Sequence, residues 1–267
     1  MIAVVDYRKG NLKSVERGLI AAGADARITS DAGEILRADA IVLPGVGAFS
    51  DAASTMEELG QMGAIRDRVR AGVPFLGICL GEHLMFESGV EGAASGETTR
   101  GLGLLPGCVV AMPREDATGA RYKVPHVGWN TIEPAREGGV GEHAVLRRSC
   151  SHESATGTLG SCGTARGTLP NAAVDASAHP TDEAEGSPNP FDCPLFDGIR
   201  PGEYFYFTHS YIAPAGDFAV AQTAHSVRFT SAVRFGERAF GVQFHPEKSS
   251  DAGARVLSNF VRIASGA

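Results

Sequence analysis

No stretch of the sequence approaches the roughly 20 consecutive apolar residues that a membrane-spanning helix needs. Met1 to Asp6 enters a strand-like pattern without the charged region and cleavage site of an export signal. A cytoplasmic location is the expectation. Lys and Arg form no long runs and the formal net charge is −7, which excludes the clustered cationic surface that nucleic-acid binding requires. Cysteine is sparse and odd in number, five in 267 residues, with no Cys-x-x-Cys pair. Reduced thiols are therefore expected in place of a disulfide framework or a zinc site. What is abundant is apolar content, 43% of the chain, enough for the core of one α/β domain over residues 1–267.

The first half alternates short apolar runs with amphipathic segments: Ile2 to Tyr7, Leu12 to Ala22, Asp25 to Thr29 and Ala40 to Leu43. That rhythm is βαβ. Gly23 stands at a helix C-terminus, and Asp31 and Ser50 stand where N-caps belong. Val73 to Ile78 is a continuous apolar run, as expected of a strand covered on both faces, and Glu82 to Ser88 reads as helix. Beyond about residue 105 the pattern alternates with period two, as in Arg121 to Val124, and in Ala232 to Phe240 with a turn at Gly236-Glu237. Val256, Leu257, Phe260, Val261 and Ala264 recur at helical spacing near the end. Residues 149–192, rich in Ser, Gly, Ala, Thr and Pro, predict a flexible insertion. Cys150, Cys162 and Cys193 in it or at its edge read as solvent-exposed thiols.

Gly77-Ile78-Cys79-Leu80-Gly81 lies between a buried strand and a helix. This is the pattern of a nucleophile elbow: a tight turn lifts the thiol above the sheet, glycines avoid clashes, and the helix N-terminus favours thiolate. Cys108, in an apolar run, reads instead as a core cysteine. A thiol needs a base, and Phe244-His245-Pro246-Glu247 offers His245 with a carboxylate two residues on to orient the ring. Pro44-Gly45-Val46-Gly47 follows a strand at the sheet edge where α/β proteins bind ligands. It could donate backbone N–H groups. Cys79 and His83, four residues apart, lack a third metal ligand of suitable spacing, so neither metal nor cofactor is expected.

These segments, with Asp6-Tyr7, Gly10-Asn11-Leu12, Val124-Pro125-His126-Val127-Gly128-Trp129-Asn130, His209-Ser210-Tyr211 and Lys248-Ser249-Ser250, resemble the glutamine amidotransferase subunits of imidazole glycerol phosphate synthase. The elbow and His-Pro-Glu are shared by all class I, or triad, amidotransferases; the Trp129 motif and the Lys-Ser-Ser tail resemble this family in particular. The resemblance implies a flavodoxin-like, mostly parallel mixed sheet flanked by helices, with added β-hairpins. It implies that Cys79, His245 and Glu247 form a triad hydrolysing glutamine to glutamate and ammonia. Gly45, Val46, Gly47 and Leu80 would hold the oxyanion, and His83, Ser210 and Tyr211 would contact substrate. It further implies a heterodimer with a (β/α)8-barrel cyclase subunit that receives the ammonia. Asn11, Lys13, Pro125, Trp129, Asn130 and Lys248 would face that partner.

Two departures from the family pattern stand out. The family has Gln where this chain has His83, preceded by Glu82, and it generally lacks an insertion at residues 149–192. Two other readings remain open: a triad glutaminase subunit of another synthase, such as anthranilate synthase, which the Trp129 motif opposes, and a regulatory binding subunit weakened in catalysis, for which His83 is the only argument.

Overall fold

The computed structural model describes residues 1–135 and 189–266. Four βα units open the chain: β1 (Ile2–Val5), α1 (Leu12–Ala21), β2 (Ala26–Thr29), α2 (Ala32–Arg37), β3 (Ala40–Gly45), α3 (Phe49–Glu58), α4 (Gln61–Arg70), β4 (Phe75–Cys79) and α5 (Leu80–His83). Short strands follow, β5 (Phe86–Gly89), β6 (Thr99–Arg100), β7 (Leu105–Ala111), β8 (His126–Thr131) and β9 (Glu133–Pro134). After the undescribed segment come β10 (Tyr204–His209), β11 (Tyr211–Ile212), β12 (Ala219–Ala224), β13 (Arg228–Phe235), β14 (Ala239–Val242) and α6 (Ser250–Ser265).

Among the described residues the main sheet runs β2-β1-β3-β4-β14-β13-β12-β9. It is parallel from β2 to β14 and antiparallel beyond. Because successive side chains point to opposite faces, Ile2 and Val4 enter one apolar cluster with Val15, Val256 and Phe260, while Ala3 and Val5 enter another with Ile35, Met56 and Ile65. Helices thus cover both faces, which is why these strands read as unbroken apolar runs. The expected α/β architecture, a mixed sheet with hairpins, is what the chain adopts.

Local signals held where the chemistry was specific. Asp31 accepts a hydrogen bond from the Gly33 N–H at 2.6 Å, and Gly23 follows α1 at φ +91°. Ser50 is not an N-cap; Ala48 occupies that position. The helix expected over Glu82 to Ser88 is instead the four-residue α5 followed by β5, because Phe86 pairs with Leu105 and closes a small sheet. Arg121 makes one isolated bridge to Glu115, and regular pairing begins only at His126.

The insertion lies outside the described residues except for 189–192. There Asn189 donates to the Cys193 carbonyl at 2.7 Å and Phe191 is buried against Phe196. Cys193 is buried, not solvent-exposed, and burial pushes its thiol up to about 11. Cys79 and Cys193 are free thiols, whereas Cys108 is disulfide-bonded and not reduced. Among the described residues no helix is long and apolar enough to cross a membrane.

Candidate active site

Three neighbouring strands end together. Parallel registers set Gly45 beside Cys79 and Val242 beside Ile78, so the turn after β3, the end of β4 and the residues after β14 share one edge. Cys79 sits there at φ 55°, ψ −107°, a left-handed backbone that non-glycine residues rarely adopt and that costs about 1–3 kcal/mol. The surrounding contacts impose it. A Cβ on Gly81 would lie 1.8 Å from the Leu43 carbonyl oxygen, and one on Gly77 would lie 2.5 Å from the Gly81 carbonyl oxygen. A Cβ on Gly45 would lie 2.6 Å from the Tyr7 hydroxyl.

His245 Nδ1 and Glu247 Oε1 are 2.9 Å apart, with side chains 2% and 1% exposed. The carboxylate only accepts, so Nδ1 carries the proton and Nε2 is left with no hydrogen-bond partner. Burial alone would lower the pKa of this ring, but the adjacent Cys79 sulfur and Glu247 carboxylate raise it to about 9. The Cys79 sulfur lies 3.9 Å from the Thr208 carbonyl oxygen and 3.8 Å from Gln243 Nε2. Asn11 Nδ2 reaches Glu247 Oε1 at 3.4 Å.

Above the sulfur is a cavity of about 460 Å³ bounded by Val46, Gly47, Cys79, Leu80, His83, Glu91, Pro125, Ser210 and Tyr211, among others. Gly47 is at φ +99°. Glu91, whose carboxylate accepts from the Phe49 N–H at 3.2 Å, has its pKa raised by burial. Tyr7 lies under the Gly45-Val46 turn, its phenol pushed up by burial against the pull of the Val46 backbone amide. His83 is buried and its Nε2 is 2.7 Å from Gln243 Oε1. Burial lowers its pKa to about 4, so the ring is neutral.

The structure therefore brings Cys79, His245, Glu247, Gly45, Val46, Gly47, Leu80, His83, Ser210 and Tyr211 to one place. The residues assigned to a partner are divided. Pro125 lines the cavity. Trp129 (51% exposed) projects with Val127 (57%) and Tyr204 (59%) from the β8–β10 pair, and Lys248 Nζ lies 5.8 Å above the Tyr206 ring. Lys13 is ion-paired with Glu16 at 2.9 Å. Asn11 and Asn130 point inward, Asn130 donating to the Ala224 carbonyl at 2.9 Å and lying 3.2 Å from His126 Nε2. Sequence reading missed Glu91, Gln243 and Tyr7. Gln243 carried a signal, since it stands two residues before His245 just after β14, but Glu91 belongs to no local pattern. Among the described residues no cluster of three or more His, Cys, Asp or Glu side chains could hold a metal.

Comparison with known proteins shows the family. Residues 3–264 match the family described as glutamine amidotransferase class-I. Relatives called imidazole glycerol phosphate synthase subunit HisH include one from Moorella thermoacetica, 36% identical and covering 97% of this chain and 93% of that one. Another, from Caldanaerobacter subterraneus subsp. tengcongensis, is 34% identical and covers 97% of both. Among solved structures, one described as a glutamine amidotransferase superposes with a TM-score of 0.59 at 15% identity, covering 99% of this chain and 100% of that one.

Proposed function

Because the chain belongs to the class I glutamine amidotransferases, as the glutamine amidotransferase subunit of an imidazole glycerol phosphate synthase in histidine biosynthesis, we propose that Cys79, His245 and Glu247 are its hydrolytic triad. One observation carries the reading: Glu247 fixes the proton on His245 Nδ1, leaving a buried, unpartnered Nε2 beside a cysteine held in an elbow. Transfer of the thiol proton to Nε2 makes the thiolate–imidazolium pair that the raised His245 pKa favours, and the thiolate attacks the carboxamide carbon of glutamine. Negative charge then develops on the carbonyl oxygen, where the Leu80 backbone N–H is one donor and the Val46 N–H, turned towards the Tyr7 phenol here, becomes the second when its peptide rotates between Gly45 and Gly47, such donors being worth a few kcal/mol of barrier lowering. Collapse releases ammonia with the proton from His245 and leaves a glutamyl thioester. Water then cleaves the thioester to glutamate.

Glu91, the one carboxylate among the described residues that borders the cavity, suits the substrate's α-ammonium group. Ser210 and Tyr211 suit its α-carboxylate. The ammonia passes to a (β/α)8-barrel cyclase subunit, for which Val127, Trp129 and Tyr204 form the exposed apolar docking face. We read residues 1–267 as one glutaminase domain carrying an insertion at 149–192. The test is Cys79→Ala in the reconstituted pair. Glutamine-dependent synthesis is expected to vanish while synthesis from added ammonium salt continues, since free ammonia bypasses the thioester. Glutamine-dependent synthesis that survives in the variant would refute the role given to Cys79, and loss of both activities would instead point to damaged assembly.

A further inference from the structure

The elbow lacks the support that such turns usually receive. A helix N-terminus stabilises thiolate through its aligned peptide dipoles, but α5 has only four residues and its dipole is correspondingly small. Among the described residues, the side-chain donor placed on the sulfur is the Gln243 amide, at 3.8 Å. Gln243 is fully buried, held by its backbone N–H on the Ser231 carbonyl at 3.0 Å. Its amide could turn over and present oxygen to the sulfur, which would repel a thiolate.

His83 sets the orientation. Its Nε2 lies 2.7 Å from Gln243 Oε1, and an amide oxygen accepts only, so the contact goes with the tautomer that carries the proton on Nε2, and that tautomer holds the oxygen in place. With oxygen committed to His83, the amide N–H is turned to the sulfur. The histidine that departs from the family pattern is therefore tied to the nucleophile through one intervening side chain. We propose that Gln243 is a thiolate-stabilising residue of this enzyme and that His83 is the positioning residue that orients its amide. The inference rests on Cys79 being the nucleophile.

Other titratable groups face the sulfur. Tyr7 approaches from the end of β1, Glu82 from α5 and His245 from beyond β14. Burial raises the Glu82 pKa well above the usual carboxylate range, and its two oxygens have no partner. None of these is altered in the variants below, so differences between variants report the Gln243 contact.

The experiment is the pH dependence of Cys79 alkylation by iodoacetamide in the full chain, with the labelled peptide identified at each pH. Gln243→Met, near-isosteric but without a donor, is expected to move the midpoint of the alkylation profile up by about one unit. Its neutral-pH rate should fall about tenfold, the scale of one hydrogen bond to a charged group. His83→Leu is expected to shift the midpoint in the same direction by a smaller amount. The double variant should shift no further than Gln243→Met, since His83 acts through Gln243, and His83→Gln should restore most of the wild-type profile. An unmoved midpoint in Gln243→Met, or a fully additive double variant, overturns the proposal. If Gln243→Met does not fold, the His83→Leu and His83→Gln pair decides: no shift in the first, or no recovery in the second, overturns it. A label on another cysteine would instead refute the choice of nucleophile.

Discussion

Replacing Glu247 by Gln keeps the size of a side chain that is 1% exposed but removes the charge paired with His245 at 2.9 Å. The imidazole pKa of about 9, against an ordinary value of 6.5, corresponds to about 3 kcal/mol favouring the protonated ring. Cys79 and Glu247 both raise it against the opposing effect of burial, so removing the Glu247 charge lowers the imidazole pKa and takes away part of that preference. Folded His245 has a raised pKa. Its contribution to stability is therefore complete below pH 6.5 and disappears as pH rises through about 9. The wild type should exceed Glu247→Gln in stability most clearly at acid pH, with the gap closing between those two values. Catalysis should suffer more than stability, because the carboxylate both fixes the tautomer and stabilises the imidazolium formed at proton transfer. A fall in glutaminase kcat of about 10²-fold or more is expected, with ammonia-dependent synthesis by the pair unchanged. Denaturant titration at pH 6 and pH 9.5, alongside steady-state assays, measures both. A kcat within twofold of wild type, or a stability gap that widens towards high pH, would refute the reasoning.

Gly81→Ala should prevent native folding or cost more than about 3 kcal/mol, since its Cβ would lie 1.8 Å from the Leu43 carbonyl oxygen; thermal melting decides it, and a melt within a few degrees of wild type contradicts the elbow geometry. Trp129→Ala should leave the isolated chain's melt unchanged but weaken cyclase binding about 30-fold or more, as expected if this large exposed aromatic lies at the centre of the proposed docking face. Calorimetric titration with the cyclase subunit checks this. Glutamine hydrolysis should be slow in the chain alone and should rise with the partner and again with the partner's nucleotide ligand; equal rates in all three states would remove the case for coupling. Gly47→Ala, at φ +99°, should reduce the ligand-stimulated rate far more than it reduces partner affinity, because only glycine holds that backbone without strain.

What could be read from the sequence was whatever local chemistry dictates. Apolar runs without alternation required a sheet covered on both faces, and the Asp31 cap and the turn at Gly236-Glu237 lie where their side chains and backbone freedom demand. Cys79 stood out because the glycines around it have no other local purpose. What could not be read depends on contacts between distant residues. Glu82 to Ser88 has helical composition, yet Phe86 is drawn into pairing with Leu105. Cys193 sits at the end of a polar segment, yet the aromatic pair Phe191 and Phe196 buries it.

The same distinction separates the two halves of the site. Cys79 and the His245–Glu247 pair each lie within a short contiguous motif, so their chemistry survives in the order of residues. Gln243 and His83 are 160 residues apart in sequence and meet only because β14 pairs with β4 in parallel register, Val242 beside Ile78. Read along the chain, His83 is a substitution at a substrate-contacting position. In the fold it faces the cavity and also grips the amide beside the sulfur. A glutamine at position 83 could hold that amide as well, since its NH₂ group also donates. The substitution thus preserves the one property this contact requires, a neutral donor. A burial-lowered pKa of about 4 keeps the imidazole neutral across the working pH range, where a cationic ring would compete with His245 for the thiolate.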